Sequence, residues 1–436
     1  MKIGILGGGI SSISLAFFLQ NRKLIKQISI IEKEKKLGGL LRSFKKKNIY
    51  YDVGPHIIFS KHPETLNLMQ KVLKDNKSLL KRSNKIIYKS RYIKYPFENE
   101  LNRLPKNDLN YCLQTFLNNP YEKLEYSNMY QFFLKNFGEG ITSIYLNPYN
   151  KKIWKYDPAF MDTQMVDRIP KPPKSDIIKS AHGKKTEGYK HQLFFHYPKS
   201  GGIQTLFNEF KNKLNKKNNF YLNTKILKIT KKNKKFYIKT NKKVFIFDKL
   251  YSTIPLGELV GLYGFKNNEV NVASSDLKYN SIKIFLINVK KNVAGKNFAF
   301  MIPDKDIIFH RISKLDFLGK NYSIKNTTSF LVEITYRNGD LISRMSKKQI
   351  LHKIYLGLKK LKFLNKKSDI NFYDYKKFKY AYVIYDKNHR KNVDTIKNFF
   401  KKEKIEVAGR GGSWEYLNSD QVIYQASIIA KKFKKN

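Results

Sequence analysis

Cysteine is almost absent from this 436-residue chain. Cys112 stands alone, which excludes a disulfide framework and a cysteine-built metal site. Tryptophan is nearly as scarce, with two residues. No apolar run approaches the ~20 residues that a transmembrane helix needs. Acidic residues are few as well: 34 Asp and Glu stand against 86 Lys and Arg, a formal charge of +52. Such a surplus favours anionic partners in general, whether nucleic acid, an anionic membrane surface or an anionic small molecule. Lys is nevertheless spread from residues 45–48 through 231–235 to the C-terminus, and no basic block sits beside a nucleic-acid-binding motif. The expectation is an overall lysine-rich composition with an anionic small-molecule substrate and no specific nucleic acid. Peripheral membrane association and the oligomeric state are left open. What the chain does have is apolar surface: 41% hydrophobic residues, with 31 Phe and 29 Tyr, enough for sizeable cores and two or three domains.

The first turn is the most informative segment. An apolar stretch after Lys2 could open a secretory signal, but three glycines and two serines interrupt it and no small-residue cleavage site follows. Strand, tight turn and helix fit better. Ile3, Ile5 and Leu6 make a short buried strand. Gly7 and Gly9 supply the first two glycines of a G-x-G-x-x-G pattern, and Ser12 takes the third, where only a small residue lets helix and strand approach. A helix over 10–20 then directs its first amides at a pyrophosphate. A second strand, 28–31, ends in Glu32, whose carboxylate can accept the ribose hydroxyls of an adenosine. This unit predicts nucleotide binding.

Further along, Pro63 with Leu66, Met69 and Leu73 at helical spacing predicts a helix over 61–81, and 100–165 carries more helical patterns. Pro170, Pro172 and Pro173 mark a linker. Residues 219–255 read as a β-meander, and 280–337 alternate as a candidate substrate sheet. The C-terminus reads as strand, glycine turn and a helix capped by Asn418 or Ser419. The expected fold class is α/β. It comprises a Rossmann-like first βαβ over 1–60, a mainly helical insert over 61–175, a return over 190–260, a sheet domain over 261–395 and a closing strand and helix over 396–436.

Gly38 and Gly39, followed by Arg42 and Ser43, resemble the second glycine motif of the glutathione-reductase-type flavoproteins, a group that includes the amine oxidases and protoporphyrinogen oxidase. That resemblance implies FAD. Within the group, five segments resemble the UDP-galactopyranose mutases, in that family's order. They are the loop Asp52–Ser60 with His56; Lys94–Glu100 closed by Leu104-Pro105; Leu146–Trp154; Tyr197–Ile203; and Gly409–Tyr416. The resemblance implies a flavoenzyme acting on a nucleotide-linked sugar in cell-surface polysaccharide biosynthesis, in the cytoplasm. There a reduced flavin acts as a covalent catalyst without net redox change, and a reductant such as NAD(P)H is needed. It assigns His56, Arg311 and Lys199 to catalysis, Lys199 standing in a shortened loop where the family has an arginine. To the cofactor it assigns Gly7, Gly9, Ser12, Glu32, Gly38, Gly39, Arg42, Ile226, Gly409, Arg410, Asp420 and Gln421. Substrate falls to Tyr95, Phe97, Asn150, Trp154, Tyr416 and either Tyr382 or Tyr385. Glu98 stands where the family has Gln. Two other readings use the same residues: an FAD-dependent oxidoreductase of the amine oxidase or protoporphyrinogen oxidase type, and a basic, non-enzymatic binding protein with a vestigial nucleotide fold.

Overall fold

The computed structural model describes residues 1–187, 193–264 and 268–433. At its centre lies a parallel five-stranded sheet in the order Ile405–Val407, Lys249–Ser252, Lys2–Leu6, Gln27–Ile31, Asn218–Tyr221. The middle strand is buried on both faces, which explains its continuous apolar run. Helix Ile10–Leu19 covers one face and packs against the C-terminal helix Ser419–Lys431. That second helix starts where the sequence places it: the Asn418 amide donates to Gln421 Oε1 at 2.9 Å, half of a capping box. Val422 and Ala426 are buried on its inner face. The expected meander is a three-stranded antiparallel sheet, Ile226–Lys232, Lys235–Thr240 and Val244–Phe247.

A seven-stranded sheet stands beside this unit, in the order Ile370–Val383, Tyr279–Val289, Thr328–Tyr336, Arg311–Lys314, Ala299–Met301, Asn84–Tyr88, Arg91–Lys94. Two of its strands come from the segment expected to be mainly helical. Helix Pro63–Leu73 ends earlier than the 61–81 window, and Ser78–Lys81 is a strand paired with Phe194–Tyr197. Its burial alternates residue by residue, the period of a strand, so the helical spacing had stopped at Leu73. The rest of 61–175 holds helices Lys106–Leu117, Met129–Ile141 and Asn147–Trp154, with a π-helical turn over Thr142–Leu146. Gly140 lets the first two touch: a Cβ there would lie 2.7 Å from the Cys112 Cα. The 190 boundary expected for the return falls in 188–192, outside the described residues. Among the described residues no helix is long and apolar enough to cross a membrane.

Candidate active site

The carboxyl ends of the parallel strands open onto a cavity of about 770 Å³. Its floor is the first turn. Gly7 has φ +95°, and a Cβ there would lie 2.7 Å from Thr253 Oγ1. Ser12 donates to the Gly7 carbonyl at 2.6 Å and shares a 2.8 Å hydrogen bond with Thr253, so the small third residue locks helix to strand. Gly8 donates its amide to Glu32 Oε2 at 2.6 Å, which fixes the carboxylate at the cavity rim. A Cβ on Gly9 would meet nothing within 4 Å, so this backbone faces open space. Gly38 (φ +123°) and Gly39 (φ +55°) fold the second turn over the first, and the Gly38 amide bonds the Gly8 carbonyl at 2.8 Å. Arg42, Ile226 and Arg410 also line this cavity. Gly409 does not line it. With φ +75° it packs against Ser11 and turns Arg410 and Gly411 inward. A glycine cradle with open backbone, a fixed carboxylate and a helix N-terminus is what a dinucleotide needs, so the residues fit FAD.

A second cavity of about 690 Å³ adjoins the first. His56, Tyr382, Arg410 and Leu417 line both, so whatever the first holds is presented to the second at this wall. Tyr95, Asn150, Trp154, Arg311 and Tyr416 line the second cavity alone, as do Asp420 and Gln421. The Trp154 ring stands edge-on to Tyr382 and to Tyr416, each at 5.8 Å. Asn150 receives the Trp154 Nε1–H at 2.9 Å and donates to the Leu146 carbonyl at 2.7 Å, so it sets the indole's orientation. Arg410 lies 4.6 Å over the Tyr416 ring and donates to the Leu417 and Ala381 carbonyls at 2.8 and 3.1 Å. The Tyr385 hydroxyl oxygen accepts a hydrogen bond from the Tyr416 amide at 2.7 Å. Tyr385 therefore braces the turn that Tyr382 touches.

Electrostatics at the wall are set by burial and two arginines. Arg311 forks onto Glu333, Nε to Oε1 at 2.6 Å and Nη2 to Oε2 at 2.7 Å, across paired positions of neighbouring strands. Burial, then Arg410 and Arg311, push His56 down to about 3, so its ring is neutral at physiological pH. Its Nδ1 is buried without a partner.

Of the residues expected to act in catalysis or meet substrate, two lie elsewhere. Lys199 is exposed and lines neither cavity. The reason is the packing of its loop: Tyr197 donates to Asp52 at 2.6 Å, and Gly202, at φ +68°, leaves no room for a Cβ against Ser43 and Asp52. Those anchors face inward and turn Lys199 out. Phe97 is fully buried in the core, stacked 4.8 Å from Tyr145, and also lines neither cavity. Burying such a ring is worth about 1.5–3 kcal/mol, which outweighs exposing it to a ligand. Residues the sequence reading did not assign to the site include Tyr145, Tyr149 and Glu333. Tyr145 and Tyr149 stack at 5.3 Å, and their i,i+4 spacing was a usable signal. So was a lone acid in the otherwise uncharged strand Thr328–Tyr336.

A nucleotide cradle on a parallel sheet, abutting a cavity of aromatics and arginines, defines a flavoenzyme with FAD as cofactor and a small molecule as substrate. The family described as flavin containing amine oxidoreductase matches residues 13–383, and the chain belongs to that family. Among solved structures, reduced UDP-galactopyranose mutase superposes with a TM-score of 0.90 at 21% identity, covering 99% of this chain and 93% of that one. A fatty acid isomerase from P. acnes superposes at 0.66 with 12% identity, covering 99% and 98%. At these identities the likeness is one of fold. Protoporphyrinogen oxidase from Schizosaccharomyces pombe (strain 972 / ATCC 24843) is 34% identical over 120 residues, which are 25% of this chain and 24% of that protein. The chain thus matches about a quarter of that relative's length.

Proposed function

We propose that this flavoenzyme acts on a nucleotide-linked sugar as a UDP-galactopyranose mutase-like isomerase, interconverting pyranose and furanose forms for polysaccharide biosynthesis. The observation that carries this reading is the second cavity: two arginines from different segments, Arg311 and Arg410, line it together with the cluster of Trp154, Tyr382 and Tyr416, and Arg410 and Tyr382 also line the cofactor cavity. Cations of that kind suit a diphosphate, and flat rings suit the faces of a sugar and a base. When bound in the cradle of Gly7, Gly9, Glu32, Gly38 and Gly39, FAD in its reduced form would supply the nucleophilic chemistry, with NAD(P)H the proposed source of electrons. The chain's own residues bind and orient. Arg311, held by Glu333, and Arg410, held by two carbonyls, offer fixed donors to the diphosphate. Asn150 orients the indole, and Tyr95 lines the same cavity. His56 stands neutral at the shared wall, where a cation would compete with them.

The test is titration of UDP, UDP-galactose and UDP-glucose into the reduced holoprotein, followed by flavin fluorescence. Saturable binding by all three supports the reading, and no binding at millimolar ligand contradicts it. The outward position of Lys199 and the partial match to protoporphyrinogen oxidase favour a second reading, an FAD-dependent oxidoreductase with a different substrate. In that case the same titration is flat while an oxidisable substrate bleaches the flavin.

A further inference from the structure

Several buried carboxylates in this protein are met by strong partners. Glu333 is forked by Arg311. Asp52 accepts from Ser43, Tyr197 and the Ile203 amide. Asp386 is met by Lys278. Glu98 is 1% exposed and lines the substrate cavity; its carboxyl is met by its own backbone amide, while its Oε2 has no hydrogen-bond partner and no cation pairs with it among the described residues. It sits on a 3₁₀ turn, Phe97–Asn99, whose backbone is fixed from behind: Ser180 donates to the Glu98 carbonyl at 2.6 Å. The groups around it are phenols, Tyr95, Tyr145 and Tyr149, and burial pushes Tyr145 and Tyr149 up and keeps them neutral. Of the elements packed on this turn, helix Lys174–Ala181 brings Ser180. Strand Arg91–Lys94 brings Lys94, which is engaged by the Thr186 carbonyl and Glu187. His56, Lys61, Arg82, Arg311 and Arg410 share the cavity, and none is bonded to Glu98.

We infer that Glu98 reads the ligand as a carboxylic acid, presenting one donor and one acceptor side by side to a ring edge that carries an N–H next to a carbonyl. That edge is the imide or lactam of a nucleobase such as uracil, so the inference rests on the nucleotide-sugar reading. An amide offers the same pair of groups at every pH, whereas a carboxyl offers it only with its proton on. A buried carboxylate with no cation beside it is disfavoured in an aromatic cavity, and an anionic ligand disfavours it further. Burial already pushes the free protein's Glu98 up to about 7. The consequence is ligand binding coupled to uptake of a proton at one residue, with affinity fading as pH rises.

The experiment uses the reduced holoprotein and UDP. Titrations from pH 6 to 9 are run on the wild type and on Glu98→Gln, which keeps the donor–acceptor pair without the proton. The ligand's own titration is common to both, so the ratio of their affinities isolates Glu98. The expected result is a wild-type affinity that falls about a hundredfold relative to Glu98→Gln across that range, from linkage at one group. Calorimetry on the wild type at pH 8, in two buffers of different ionisation enthalpy, reads the proton directly and does not depend on the variant folding. It should show close to one proton taken up per UDP. UDP binding with no proton uptake, or with equal pH dependence in both proteins, overturns the inference and leaves the nucleotide-sugar reading standing. Absence of UDP binding to either protein at every pH overturns both.

Discussion

Replacing Arg311 by alanine removes more than a cation. The guanidinium makes two short bonds, at 2.6 and 2.7 Å, to a Glu333 side chain that is 0% exposed. Taking away one partner of a buried pair leaves the other uncompensated, at a cost of about 3–5 kcal/mol. Arg311 is itself 25% exposed, which places the expected loss toward the lower end. Glu333→Gln in the same chain removes the stranded charge, so the double variant should recover part of the stability, with a coupling of about 1–3 kcal/mol in the cycle. Binding should behave differently. Each charge-assisted bond to a diphosphate is worth about 1.5–3 kcal/mol, so UDP should weaken roughly 10- to 150-fold in the single and the double variant alike. FAD content should stay at the wild-type level in both, because Arg311 does not line the cofactor cavity. Urea unfolding followed by circular dichroism gives the stabilities, and UDP titration of the reduced protein gives the affinities. An Arg311→Ala protein as stable as wild type, or a double variant that binds UDP at full strength, would refute the reasoning.

Three further outcomes follow from the site. Gly9→Val should fold with near wild-type stability and lose FAD, because Gly9 has ordinary extended angles and its missing Cβ faces open space; visible absorbance after purification reads the loss. Lys199→Ala should leave UDP affinity within twofold of wild type, about 0.4 kcal/mol, since the side chain lines neither cavity. His56 carries a pH dependence of stability. Its folded value, about 3, lies below the ordinary 6.5, so neither state binds its proton above pH 6.5. Below that only the unfolded chain does, and stability falls as pH drops toward 3. The share at pH 5 is about 1–2 kcal/mol, and His56→Phe should flatten the acid limb of apoprotein unfolding by that amount.

Local chemistry decided what could be read from the sequence. The cofactor cradle was legible because each of its parts is a short local motif. Gly7, Gly9 and Ser12 sit on one turn, and Glu32 closes the adjacent strand; the cap of the C-terminal helix, Asn418 with Gln421, is local in the same way. The substrate cavity draws on segments far apart in the chain. Its residues were recognisable by type but not by direction. Lys199 and Tyr197 share a loop, and only the long-range bond from Tyr197 to Asp52 decides which of them faces in. Phe97 lies next to Glu98 on one short turn, and the stacking of its ring on Tyr145 sends it to the core. The strands within 78–94 were hidden because their partners, Phe194–Tyr197 and Ala299–Met301, come from distant segments.

The most direct test of the central claim is turnover. Holoprotein reduced under anaerobic conditions is incubated with UDP-galactopyranose, and the nucleotide-sugar pool is resolved by chromatography against the oxidised protein as control. The expected result is UDP-galactofuranose formed by the reduced protein alone, to an equilibrium mixture and without net consumption of reductant. No furanose from the reduced protein, together with steady oxidation of an amine or a porphyrinogen by the oxidised protein in air, would contradict it.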